Sequence, residues 1–228
     1  MIKAVILDMD GLMADTESIH KLAFKQFLQR YGKPFSEEDF FRFVGVSVRK
    51  NIEVIKAELD LPGAVDDLLD EREEIYLDLI QNQPPEPADG LKEVISAARD
   101  CGLLLAVASG SPLDQIAIVV ENLLDRLGFS DGSNGVFRTV VSATEADRPK
   151  PYPDVYFLAM DRLGVNPEES LAFEDSAPGV GAATSAGVIC AAVPNQYTRN
   201  ADFSRAAYVL EGLGQGVEII KTLSSKEG

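Results

Sequence analysis

Basic residues are scarce in this chain: 21 lysines and arginines face 37 aspartates and glutamates, a formal charge of −16. Nucleic acids and anionic membrane surfaces are gripped through a basic face, so the deficit argues against DNA, RNA or membrane as partners. A small phosphorylated substrate stays admissible, because a metal ion and one or two placed cations reverse the field locally. Cysteine is rare too. Cys101 and Cys190 stand far apart in unlike contexts, as suits two small thiols in a reducing compartment and not a disulfide framework. No apolar run reaches membrane-spanning length, and the first, residues 4–7, is broken at once by Asp8, so it makes no signal-peptide core. The expectation is a cytoplasmic protein. There is no internal repeat or low-complexity tract, and 228 residues, 46% of them hydrophobic, suffice for one large or two modest domains with a real core. Nothing in the sequence sets the oligomeric state.

What is present is organised around IKAVILDMDGLMADTE at residues 2–17. Ala4 to Leu7 form an apolar, β-branched run too short for an ordinary helix, which predicts a buried strand. Asp8 and Asp10 follow at its carboxyl end, and Gly11 lets the backbone turn. In an open parallel sheet ligands bind beyond the carboxyl ends of the strands. An Asp-x-Asp pair there can hold a divalent cation, and it places an oxygen nucleophile beside a proton donor. An acidic surface turn is the alternative for these two residues taken alone.

Past Asp15, a helical period runs through Ile19, Leu22, Ala23, Phe27 and Leu28. Ser36 with Asp39 three residues on predicts a second helix start. Ile52, Ile55 and Leu59, then Leu68, Arg72, Ile75, Tyr76 and Leu79, continue the period, so residues 16–85 are expected to form an all-helical insertion. Pro84, Pro85 and Pro87 make a stiff exit. From there helix and strand alternate, which predicts a doubly wound, Rossmann-like parallel sheet built from residues 1–15 and 86–228. Strands are expected at residues 103–108, 136–141, 170–173, 188–193 and 208–210, with a glycine-rich turn at residues 130–135.

Four strand ends, or the loops after them, then carry chemistry: Asp8 and Asp10; Ser109; Lys150 between prolines; and Glu174 with Asp175. Asp-Met-Asp-Gly, Ser109 after an apolar strand, Lys150-Pro151, and Phe173-Glu174-Asp175-Ser176 resemble, in order, the four motifs of the haloacid dehalogenase-like hydrolase superfamily. The helical insertion resembles the small cap of its sugar phosphatases and β-phosphoglucomutases. The resemblance implies that Asp8 attacks phosphorus to form an aspartyl phosphate and that Asp10 serves as acid and base. It also implies that Ser109 and Lys150 grip the phosphoryl group, and that Mg2+ is held by Asp8, the backbone carbonyl of Asp10, and Asp175, with Glu174 beside them. An acid at Asp10 favours phosphate monoester chemistry, because an alkoxide leaving group needs a proton.

The cap residues bear on subclass. His20, the sole histidine, lies four residues after Thr16, where sugar-phosphate members of the family often carry one. Mutases use an arginine directly after Gly-Val-Ser. Here Gly45-Val46-Ser47 is followed by Val48, with Arg49 one place later, and Arg72 stands roughly where mutases put a cap lysine. The expectation is a Mg2+-dependent phosphatase of a small phosphorylated metabolite, a sugar phosphate foremost, with a β-phosphoglucomutase as the alternative. A non-catalytic phosphoacceptor domain ranks below both, since receivers lack such an insertion.

Overall fold

The computed structural model describes residues 1–44, 46–129 and 131–225. The chain divides into two compact units, one formed by Met1–Asp15 with the segment from Glu86 onward, the other by Thr16–Pro85.

The first unit holds a six-stranded parallel sheet in the order β3-β2-β1-β4-β5-β6. Its strands are β1 (Ala4–Leu7), β2 (Leu104–Ser109), β3 (Thr139–Ser142), β4 (Ser170–Glu174), β5 (Ile189–Ala192) and β6 (Tyr208–Val209). Leu7 stands level with Val107 on one side and Phe173 on the other. β1 is buried along its whole length, and a strand covered on both faces needs a continuous apolar run instead of an alternating one. Ile6, Ala106 and Ala172 face a core shared with Tyr156, Ala159 and Val180. Alternate residues point the other way. There a Cβ on Gly216 would lie 2.5 Å from the Phe173 ring, so glycine lets helix Gly216–Ser224 lie close on β4. The strand order reverses beside β1, which puts Asp8 at the topological switch point.

The second unit is helical: α1 (Thr16–Arg30), α2 (Glu37–Phe41), α3 (Val48–Leu59) and α4 (Val65–Asn82). At the start of α2 the Ser36 and Asp39 side chains each accept the other's backbone N–H, at 3.1 and 2.8 Å, a complete capping box. α4 packs on α1 and on α3, burying Leu68, Ile75, Tyr76, Leu79 and Ile80. Among the described residues no helix is long and apolar enough to cross a membrane.

Two local expectations need correction. Gly132–Val136 is a short helix, and β3 starts only at Thr139. The Phe137 N–H closes a helical turn on Ser133 O at 2.7 Å, and the ladder to β2 begins where the Arg138 N–H meets Leu105 O at 2.8 Å. Val136 and Phe137 are buried, so their apolar character reflects packing and not strand pairing. The end of the predicted turn at Ser130, like Gly45 in the cap motif, lies outside the described residues.

Candidate active site

Asp8 extends β1 by one residue, its N–H bonding Phe173 O at 3.1 Å. That ladder contact fixes its side chain at the crevice mouth. Lys150, carried by the loop before the helix Asp154–Leu163, reaches in and donates to Asp8 Oδ1 at 2.5 Å, Glu174 Oε1 at 2.6 Å and Ala108 O at 2.9 Å. Three acceptors match the three hydrogens of an ammonium. Burial works against the Lys150 charge, but the two carboxylates outweigh it and hold its pKa above the usual lysine value. Burial also pushes the Asp8 carboxyl well above its ordinary range, against the pull of Lys150.

Glu174 is fully buried. Its Oε1 also accepts the Tyr156 hydroxyl at 2.6 Å. Burial first, and then the Glu174 charge, raise the Tyr156 pKa well above that of a free phenol, so Tyr156 remains a donor. The same two causes push the neighbouring Cys190 thiol up to about 12, which leaves it inert. Gly179 opens room for Glu174, since a Cβ there would lie 1.9 Å from Oε2. Gly179→Ala is accordingly expected to cost about 1–3 kcal/mol by overpacking, measured as a lower denaturation midpoint at unchanged m-value.

Asp10 is held separately. Ser109 Oγ and Ser111 Oγ both donate to its Oδ2, at 2.9 and 2.8 Å. Ser111 N–H in turn donates to Ser109 Oγ at 3.0 Å, and Ser142 Oγ to Ser111 O at 2.6 Å. The ends of β2 and β3 thus brace the loop that orients Asp10.

Asp8, Glu174 and Asp175 each bring a carboxylate oxygen within 4.8 Å of the others. Three buried carboxylates against one ammonium leave excess negative charge, and all-oxygen donors of this kind suit a hard divalent cation. Gly11, at φ +80°, keeps the space clear: a Cβ there would sit 2.4 Å from Asp175 Oδ2. Asn195, three residues beyond β5, donates to that same oxygen at 2.8 Å.

The structure therefore brings Asp8, Lys150, Glu174 and Asp175 into one cluster, and Asp10 together with Ser109. Sequence reading missed Tyr156, Ser111 and Asn195. Tyr156 lies in a helical apolar period and reads as core; Ser111 and Asn195 each sit beside a proline in a strand-end turn, a signal available but not used.

Within the helical unit, Arg49 pairs with Asp66 at 2.5 Å, and both side chains are more than half exposed. Arg72 is buried outright. It donates to His20 Nδ1 at 2.5 Å and to Glu73 at 2.9 Å, and its guanidinium lies 4.5 Å from the Phe24 ring centroid and 5.0 Å from that of Tyr76. Its acidic sequence neighbours do not make it a surface arginine, because ring faces can take a desolvated guanidinium. His20 stacks on Tyr76 with centroids 4.1 Å apart.

Burial, and then the Arg72 charge, depress the His20 pKa well below 6.5. An unfolded chain takes up that proton near pH 6.5, before the folded state does. Stability present above pH 6.5 should therefore fall as pH drops through and below that value. The single imidazole makes this measurable. Its NMR titration is expected to show a midpoint below that of a free imidazole, and Arg72→Met should raise it.

Residues 5–193 match the family model described as haloacid dehalogenase-like hydrolase, and the chain belongs to that family of enzymes. Within it, the chain is 30% identical over 190 residues to the phosphorylated carbohydrates phosphatase of Thermotoga maritima, covering 82% of each protein. It is 29% identical over 197 residues to the β-phosphoglucomutase of Bacillus subtilis, covering 84% of this chain and 83% of that one. Its fold superposes on a CbbY variant from Rhodobacter sphaeroides in complex with xylulose-1,5-bisphosphate with a TM-score of 0.82, 27% identity, and coverage of 94% and 96%.

Proposed function

We propose that the chain is a Mg2+-dependent phosphatase of a small phosphorylated carbohydrate, working through an aspartyl phosphate on Asp8. One observation carries the reading: side chains from four strand ends spread over most of the sequence meet at the switch point of the sheet. Asp8, Glu174 and Asp175, with the Asp10 carbonyl, are the residues that would hold Mg2+, and the cation supplies charge that lets a phosphate dianion approach three carboxylates.

The chain's own groups do the rest. An Asp8 oxygen attacks phosphorus, the bond to the sugar oxygen breaks, and the hydrolysis is divided into two easier steps. Asp10, oriented by Ser109 and Ser111, gives a proton to the departing alkoxide and later takes one from the water that attacks the aspartyl phosphate. Lys150 and Ser109 bear on the equatorial oxygens, where the charge of the transferring group spreads. The helical unit is the cap in this reading, with His20 and Arg49 as its candidate substrate contacts; Arg72, buried against Phe24 and Tyr76, would act through His20.

The names of the relatives support carbohydrate phosphates as the class. Arg49 stands one place beyond the position directly after Gly-Val-Ser that mutases fill with arginine to clamp a second phosphate, and this favours hydrolysis over the mutase alternative. A screen of phosphorylated sugars with and without Mg2+, following phosphate release, tests the reading. β-Glucose 1-phosphate with a bisphosphate primer is expected to give free phosphate; glucose 6-phosphate as the main product would make the enzyme a mutase.

A further inference from the structure

The loop after β5 supplies a contact that no motif of the sequence announces. The Val193 N–H bonds Glu174 O at 2.7 Å, carrying the β4–β5 ladder past the strand end and setting the following residues alongside Asp175. Two residues on, the Asn195 amide reaches across. Its Nδ2 donates to Asp175 Oδ2 at 2.8 Å and to Gly11 O at 3.2 Å. Both amide hydrogens are thereby used, one on a carboxylate at the end of β4 and one on the backbone turn at the end of β1.

The other end of the amide is fixed as tightly. Asn195 Oδ1 accepts Tyr197 N–H at 2.8 Å, Thr198 N–H at 3.1 Å and Thr198 Oγ1 at 3.3 Å. Thr198 Oγ1 itself accepts the Asn195 N–H at 3.0 Å. Exchanging the amide oxygen and nitrogen would set an NH2 against two N–H donors and a carbonyl against a carboxylate. Only one orientation satisfies all partners. Space confirms the pairing: a Cβ on Gly11 would lie 2.4 Å from Asp175 Oδ2 and 2.8 Å from Asn195 Nδ2, so the glycine backbone is pressed against this hydrogen bond.

We propose that Asn195 is a positioning residue that pins the Asp175 carboxylate, and the Gly11 turn beside it, in the orientation that binds the divalent cation. The inference rests on the metal reading given above and adds to it the residue that fixes a ligand's plane. A donor in this role sets how much ordering a ligand must undergo when the cation arrives, and its removal typically lowers metal affinity 10–100-fold.

The test titrates Mg2+ alone, without substrate, into wild type, Asn195→Ala, Thr198→Ala and Asp175→Asn, by calorimetry and by the Mg2+-dependent rise in Tm. Thr198→Ala loosens the same turn without touching Asp175. Both turn variants should lower Tm in Mg2+-free buffer by a few degrees. Mg2+ affinity should fall roughly 10–100-fold in Asn195→Ala and stay within about twofold of wild type in Thr198→Ala. Equal losses in the two would mean that Asn195 acts only by holding its turn, and unchanged affinity in Asn195→Ala would mean that Asp175 needs no pin; either overturns the inference alone. No Mg2+ binding by wild type, or full binding by Asp175→Asn, overturns the metal reading and this inference with it.

Discussion

Asp8→Asn is expected to lower kcat by at least roughly 10^4-fold, the scale on which loss of a nucleophile is felt, with Tm unchanged or raised. Asparagine keeps the shape of the side chain, but its amide oxygen does not attack phosphorus. The fold has little to lose. The ladder bond of this residue runs through its backbone N–H to Phe173 O, and Lys150 keeps Glu174 and Ala108 O as partners. The buried carboxylate itself is costly to keep out of water, so a neutral amide relieves desolvation. Phosphate release measured alongside a thermal melt checks both halves. A variant that retains more than about a hundredth of the activity would show that another group attacks.

Lys150→Met has the opposite balance: activity is lost, and the fold suffers too. Methionine fills most of the lysine's length and removes only the charge and its three hydrogen bonds. Asp8 and Glu174 then stay buried without their cation. Stranding one side of a buried pair costs about 3–5 kcal/mol, which for a chain of this size is a fall of roughly 6–20 °C in Tm. The measurement is made in Mg2+-free buffer and repeated with Mg2+. The cation is expected to raise the Tm of the variant by more than that of wild type, since it supplies the charge that was removed. A variant that melts within a degree or two of wild type would mean the two carboxylates do not depend on Lys150.

The sheet was legible because a parallel strand covered on both faces must be apolar throughout, and a polar residue directly after such a run marks its carboxyl end. Asp8, Ser109 and Glu174-Asp175 all follow that pattern. β3 was harder to read. Val136 and Phe137 are as apolar as a strand, yet they end a short helix that starts at Gly132 and are buried there. Helix Gly216–Ser224 was missed because glycines precede it, although its opening glycine is what allows contact with Phe173. In the helical unit, Asp70, Glu71, Glu73 and Glu74 around Arg72 suggest a solvated face, whereas the spacing from Leu68 and to Tyr76 places it on the apolar one. Spacing decided the outcome. Tyr156 and Asn195 touch Glu174 and Asp175 across 18 and 20 residues, and such contacts depend on which strands are neighbours.

The points where the chain leaves and rejoins the α/β unit lie side by side, Ala14 bridging Pro87 and Ala88 N–H bonding Met13 O at 2.8 Å. The sheet therefore sees the whole insertion as one closed loop, and the entropy of such a loop changes only slowly with its length. Evolution can lengthen, trim or exchange everything between those two residues at small cost to the scaffold. The strand ends can thus keep their arrangement of side chains while the module clipped in at that single seam is traded for another.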